Sequence, residues 1–458
     1  MEKTPEQPSQ VAPSAGPTPF EPRLVAFLCK WCTYTGADLA GTSRLTYAPN
    51  VRALMLPCTG RIDVTFVLKA FLEGADGVLV SGCHPGDCHY TAGNFRARRR
   101  WILFRDLLDT LGFDLRRFEC AWISAAEGQK FARTIDTFTR SLDALGPYEE
   151  MRRLCADRWP GLAPAGRPAH PPADAGDQAV APCPELAAAA AQALESGKVR
   201  VVVGWTASPT LGRPRLAWAT TPEEASCLAA PRATSGNLAR ALRSRKLRTL
   251  EPIGLVVRAS EIVSLTVLWQ EGQLDPGKLI LFTFAPGGEF LGVMDLAAAR
   301  EMLRPASADQ QPSRPAPFSP EIVARLDELM ARPPAERWAF WRGQFDRCIK
   351  CYACRQSCPS CGCDRCLAEK NQPQWFPSAA DGPGNFAWHI VRTFHLAGRC
   401  TGCGACQAAC PCGLELNVLG AAMARSALVH FGYTAGADPQ APPLQADFKP
   451  DDAERFIL

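Results

Sequence analysis

Cys348, Cys351, Cys354 and Cys358 are followed by Pro359, and the same spacing returns as Cys400, Cys403, Cys406, Cys410 and Pro411. A segment that repeats eight thiols at this interval does not build an ordinary hydrophobic core. Twelve of the 21 cysteines lie between Cys348 and Cys412, and five more between Cys29 and Cys88, so two separate metal-binding regions are expected. The first twenty residues lack the basic and then apolar stretches of an export signal, and no window approaches about 18 uninterrupted apolar residues. A soluble, cytoplasmic chain with no membrane span is expected. In that compartment thiols stay reduced, which favours metal binding over disulfides.

The repeated C-x2-C-x2-C-x3-C-P run is that of two-cluster ferredoxins, where three close thiolates hold one cubane and the fourth reaches the other. Carried over, Cys348, Cys351, Cys354 and Cys410 hold one 4Fe-4S cluster, and Cys400, Cys403, Cys406 and Cys358 hold a second. The proline after each run disfavours helix and turns the chain away. Small residues such as Gly402, Gly404 and Ala405 let backbone N–H groups approach the cluster sulfur. Zinc modules instead use paired C-x2-C units with longer gaps. Cys361, Cys363, Cys366 and Cys412 remain, the number needed for a third site holding a further Fe–S cluster or zinc; crowding around two clusters explains them equally.

Pro-rich stretches divide the chain. Residues 1–20 read as disordered, 156–182 and 305–320 as linkers, and 436–458 as a polar tail. Three blocks remain, at 21–155, 183–304 and 321–435. In the first, "LVAFLC" (24–29), "VRALMLPC" (51–58), "GVLVSGC" (77–83) and "FECAWIS" (118–124) read as buried strands. Between them, Val64, Val67, Leu68 and Phe71, and then Phe104, Leu107, Leu108 and Leu111 before Gly112, have helical spacing. A last helix is expected from "SAAE", where Ser124 and Glu127 have capping-box spacing. Strands alternating with helices predict an α/β fold with a doubly wound parallel sheet.

This assignment sets Cys29 and Cys32 after the first strand, Cys58 after the second, and Cys83 and Cys88 after the third. The carboxyl ends of such strands share one edge, so the five thiols converge. A 2Fe-2S cluster needs four thiolates, which leaves one over, Cys29 or Cys32. An alternative gives His84 or His89 in "HPGDCHY" a ligand or proton-donor role.

The middle block is also α/β, with strands in "KVRVVVGW" (198–205), "IGLVVRA" (253–259) and "KLILFTF" (278–284) and a helix in "EIVSLTVLWQEG" (261–272). The third block is a ferredoxin-like dicluster domain with helices. Cys120, Cys155, Cys183 and Cys227 read as structural. Net charge is +4 with 21% charged residues, which gives no global field for nucleic acid. The basic run "NFRARRRW" (94–101) reads as a solvated helical face, the alternatives being an acidic partner or a flavin phosphate.

The stretches "AFLCKWCTYTGADLAGTSR", "LPCTGRID", "FLEGADGVLVSGCHPGDCHY" and "SAAEGQKFA" closely resemble the delta subunit of methyl-viologen-reducing hydrogenase. The resemblance implies a 2Fe-2S protein that passes electrons between a partner oxidoreductase and the flavin-containing A component of heterodisulfide reductase. The family's cysteines map to Cys29, Cys32, Cys58, Cys83 and Cys88. Residues 190–430, through "LESGKVRVVVGW", "LWQEGQLD" and the cysteine runs, resemble the beta subunits of formate dehydrogenase and of deazaflavin-reducing hydrogenase. Arg258 to Glu261, "RASE", departs from the Lys-Gly-Cys-Asp motif common among those relatives.

These features predict an electron-transfer component of a multi-subunit oxidoreductase, without bond-making chemistry of its own. Its expected partners are a heterodisulfide-reductase-like flavoprotein, with an electron-bifurcating assembly as one form of the complex, and a donor or acceptor dehydrogenase or hydrogenase. The alternatives are a flavoenzyme whose middle block binds FAD and reduces a diffusible cofactor, and a cluster-based redox sensor or scaffold.

Overall fold

The computed structural model describes residues 20–156, 182–207, 214–231, 236–285, 287–302, 318–370 and 372–458. The N-terminal stretch and both expected linkers lie, apart from their edges, outside the described residues. Four strands, β1 (Leu24–Cys29), β2 (Val51–Leu56), β3 (Gly77–Gly82) and β4 (Phe118–Trp122), form a parallel sheet in the order β2-β1-β3-β4.

The side chains of β1 alternate between two cores, as the two-residue period of a strand requires. Leu24, Ala26 and Leu28 face Ala40 of helix α1 (Thr35–Thr42) and Phe131, Ile135 and Phe138 of α4 (Gly128–Leu145). Phe27, with Val78, Val80 and Phe118, faces α2 (Val64–Leu72) and α3 (Gly93–Thr110). The expected apolar positions of α2 and α3 are buried. Gly112 takes φ +76°, and a Cβ there would meet the Pro334 carbonyl oxygen at 2.0 Å.

Three expectations need correction. Among the described residues β2 is an edge strand that pairs with β1 alone, and it leaves Leu54 and Met55 about half exposed. Its apolar composition mimics a buried strand, but burial depends on what covers it. The last helix begins at Gly128; Glu127 accepts a hydrogen bond from the Ser124 backbone N–H at 2.7 Å, so only the acidic half of the box forms. The basic run is not a solvated face: Arg98 and Arg99 are buried beneath residues 444–454. Farther along, Ile457 pairs in parallel with Cys120, and Leu458 exchanges hydrogen bonds with Cys120 and Trp122, extending the sheet beyond β4.

The middle block carries a five-stranded mixed sheet in the order β6-β5-β7-β8-β9, with β5 (Val201–Ala207), β6 (Pro214–Ala219), β7 (Ile253–Val257), β8 (Leu279–Phe284) and β9 (Phe290–Met294). The two antiparallel edges, β6 and β9, have no clear sequence signal. Its core is separate. "RASE" opens the helix Ala259–Gln270, where Arg258 pairs with Glu261 at 2.6 Å.

The third block is helical, with long helices Pro320–Met330, Pro334–Asp346, Gly382–His395 and Leu416–Phe431. Its core is continuous with that of α2 and α3. Phe104 meets Phe394 edge-on at 6.0 Å, and Trp341 Nε1 donates to the Thr110 carbonyl at 3.1 Å. The middle block touches the third through Ser264 and Thr401, whose hydroxyls are 2.9 Å apart, and through Glu271 and Arg399.

Candidate metal centres

The five N-terminal cysteines meet at the carboxyl edge of the parallel sheet. Cys29 ends β1, and Cys32 lies in the wide turn Lys30–Tyr34 that continues from it. Cys58 precedes the short turn Thr59–Arg61, and Cys83 follows β3 directly. All five are 8% exposed or less and form one cluster. Cys29 Sγ lies 3.9 Å from Cys83 Sγ, and Cys58 Sγ lies 3.8 Å from Cys88 Sγ. Cys32 joins Cys29 and Cys83 in a group within 4.8 Å.

Those distances suit thiolate ligation. A tetrahedral metal with bonds of about 2.3 Å to sulfur, the value for zinc, holds two sulfurs roughly 3.8 Å apart. Two such pairs side by side fit two metal atoms.

Glycines make room for this packing. The Gly60 N–H donates to Cys58 Sγ at 3.4 Å. A Cβ on Gly93 would stand 2.3 Å from Cys58 Sγ and 3.2 Å from Cys88 Sγ. Gly93 opens α3, so the positive end of an 18-residue helix adjoins the thiols and favours negative charge there. Gly93 does not stand out in the sequence, because its contact with Cys58 is made between distant segments and leaves no local pattern.

Without metal the thiols share protons. Hydrogen bonds from Cys32 and Cys58 draw the Cys29 thiol down, while the Cys32 thiol, donating to Cys29, is pushed up to about 12. A bound metal would displace those protons. The histidine alternative has other partners: His84 Nε2 lies 2.7 Å from Glu127, and His89 stacks on Trp31 at 3.8 Å.

In the third block the two cysteine runs adopt matching backbones. Lys350 and Tyr352 have φ of +51° and +59°, and Gly402 and Gly404, at equivalent places, have +66° and +70°. Each second residue caps a short helix, Ala353–Gln356 or Ala405–Ala408. The left-handed turns point successive amides inward, and the Lys350 N–H reaches Cys348 Sγ at 3.4 Å. That Lys350 and Tyr352 hold such angles without being glycine shows how strongly the local fold demands them.

Cys358 lines one cavity with Cys400, Cys403 and Cys406. Cys410 acts electrostatically on Cys348 together with Cys354. Burial pushes the Cys348 thiol up to about 12 and those of Cys354 and Cys403 up to about 11. The four remaining thiols are dispersed. Cys361 donates to Cys358 and lowers its pKa, Cys412 lies near Cys410 and Cys351, and Cys363 acts electrostatically on Cys366. Among the described residues they do not share the close spacing, within 4.8 Å of one another, of Cys29, Cys32 and Cys83. Of the cysteines read as structural, Cys120 is fully buried in β4 and Cys155 donates to the Leu72 carbonyl.

Comparison with known proteins agrees with this division. Residues 24–146 match the profile of the methyl-viologen-reducing hydrogenase delta subunit, and residues 341–411 match that of the 4Fe-4S dicluster domain. The iron-sulfur D component of the vhc F420-non-reducing hydrogenase of Methanococcus voltae is 50% identical over 128 residues, 28% of this chain and 89% of the relative. Its counterpart from Archaeoglobus profundus is 45% identical over 130 residues, 28% of this chain and 95% of the relative. The A component of the ferredoxin/F420H2-dependent CoB-CoM heterodisulfide reductase of Methanosarcina acetivorans is 45% identical over 136 residues, 30% of this chain but only 17% of that protein. Because its residues 24–146 align with nearly the whole length of such iron-sulfur components, the chain belongs to the methyl-viologen-reducing hydrogenase delta-subunit family and carries a 4Fe-4S dicluster domain in the same polypeptide.

Proposed function

We propose that this chain is an electron-transfer component that relays electrons between a partner dehydrogenase or hydrogenase and a heterodisulfide-reductase-like flavoprotein, within an electron-bifurcating assembly. The names of the relatives support both partner classes. In this reading the N-terminal thiols hold a 2Fe-2S cluster, with Cys29 and Cys83 on one iron and Cys58 and Cys88 on the other. Cys32 is then the neighbouring thiol left over. Cys348, Cys351, Cys354 and Cys410, and Cys400, Cys403, Cys406 and Cys358, hold two cubanes. Bound clusters of these types supply one-electron redox chemistry. The domains run from 21–155, 183–304 and 321–435, the second being beta-subunit-like.

The observation that carries the proposal is the shared core of the first and third blocks. His395, five residues before Cys400, lies within electrostatic reach of Asp63, five residues after Cys58. The chain leaving one thiol centre therefore abuts the chain entering the next. At the far end Cys351 and Ile349 are exposed, which supplies a surface beside the other cubane position.

The test is an anaerobic assay of iron, sulfide, zinc and flavin on the purified chain, with EPR through a dithionite titration. About ten irons, a 2Fe-2S signal beside interacting cubane signals, and no flavin are expected. Stoichiometric flavin would overturn the relay reading in favour of a flavoenzyme, and zinc in place of iron would overturn the cluster assignment.

A further inference from the structure

The helix Gly382–His395 is buried along nearly its whole length, yet it carries an arginine. Arg392 is 7% exposed. Its Nη2 donates to the carbonyl oxygen of Cys354 at 3.2 Å and its side chain reaches the Cys406 thiol, while among the described residues no oxygen or nitrogen accepts from its Nε. The same side chain lines the cavity formed by Cys358, Cys400, Cys403 and Cys406. Cys354 belongs to the first ligand set and the other four to the second, so one cation lies between the two.

Its neighbours clarify its role. Arg399 also lies near these thiols, but Glu271 neutralises it; Arg355, on the Cys354 side, is matched by Glu369. The titratable groups around Arg392 are instead the thiols of Cys406, Cys358, Cys361 and Cys354. A guanidinium does not give up its proton inside a protein, and a buried charge without a counter-charge is costly. Sulfur is therefore the natural source of compensating negative charge.

We propose that Arg392 is the shared counter-ion of the two cubane sites, a positioning residue that makes reduction easier, most of all at the Cys358/Cys400/Cys403/Cys406 site. The inference rests on the reading that both sets carry 4Fe-4S clusters. A cubane with four thiolates is already anionic, and uptake of one electron from a one-electron donor adds one negative charge. No bond forms or breaks at Arg392 and no proton moves there. Its fixed positive charge stabilises the reduced form more than the oxidised one, so the midpoint potential rises. Contact with the backbone of Cys354 extends a weaker effect to the first site.

The experiment is an EPR-monitored redox titration of the full chain, with iron and sulfide counts, for the unsubstituted protein, Arg392→Gln and Arg392→Lys. Arg392→Lys is expected to keep both clusters with midpoints close to the original. Arg392→Gln is expected to reduce at more negative potential, with the larger shift at the second site. Loss of iron in Arg392→Gln but not in Arg392→Lys would also support the proposal, because charge then decides occupancy. Full iron with unchanged midpoints in Arg392→Gln would overturn it, and so would equal loss of iron in both variants, which marks a purely structural role. Failure of the unsubstituted chain to show two cubanes would instead overturn the underlying cluster reading.

Discussion

Arg99 and Asp452, 353 residues apart, form a buried pair in which Arg99 Nε lies 2.5 Å from Asp452 Oδ2 and Nη2 lies 3.2 Å from Oδ1. Their side chains are 4% and 3% exposed. With Arg98 bound to Glu454 and to the carbonyls of Lys449 and Pro450, this pair straps the last residues across α3.

Removing Asp452 takes away the close partner of Arg99 and leaves Asp447, 3.5 Å from its Nη1, as the remaining counter-charge. Asp452→Ala is expected to destabilise the protein by less than the about 3–5 kcal/mol of a fully isolated buried charge, and replacing both partners with apolar residues of similar volume should cost less still. Urea unfolding of the single and double variants, with proteolysis of the C-terminal segment as a second readout, measures the difference. Equal losses in both would show that the strap, rather than charge pairing, sets the stability.

Gly93→Ala should empty the N-terminal centre. The added methyl would overlap the sulfur of Cys58, and the helix end cannot retreat because Gly60 packs against Gly93. The expected loss is about two irons per chain together with the 2Fe-2S signal, while the cubane signals remain. An unchanged iron count would contradict the close approach.

Cys32→Ser and Cys83→Ser should behave differently. Cys83 is paired with Cys29 at 3.9 Å, whereas Cys32 lies outside both close pairs. The serine variant at Cys32 is expected to keep the 2Fe-2S spectrum and the one at Cys83 to lose it. Loss at both positions would mean that Cys32 is a ligand.

Where α3 meets the helix Leu416–Phe431, a weak dependence on pH is expected. The bond to Asp106, 2.8 Å away, raises the His430 pKa above its ordinary 6.5. A raised folded-state pKa stabilises the fold fully below pH 6.5, and that contribution disappears as pH climbs through the raised value. Both side chains are about a third exposed, so screening limits the effect to less than about 1 kcal/mol. Thermal unfolding should show this slope in the parent and lose it in His430→Gln.

Local spacing made much of this molecule legible. The two cysteine runs encode their own turns, and the repeated left-handed positions at Lys350, Tyr352, Gly402 and Gly404 follow from the need to curl three thiols inward. The strands β1, β3 and β4 and the helices α2 and α3 follow from periodicity, and that alternation was enough to bring Cys29, Cys32, Cys58, Cys83 and Cys88 to one edge.

What depends on distant contact was not legible. β2 has the composition of a buried strand and is exposed because none of the described residues covers its outer face. Arg98 and Arg99 have the composition of a wet helix face and are buried because residues 444–454 lie over them. The pairing of Cys29 with Cys83, the dispersal of Cys361, Cys363, Cys366 and Cys412, and the place of Arg392 between two ligand sets likewise arise only once the helices pack. The sequence by itself determined backbone turns and periodic faces, because they depend on residues a few positions apart. Only the tertiary structure decided which faces are covered and which charges are paired, because burial and electrostatics act through space between segments hundreds of residues apart.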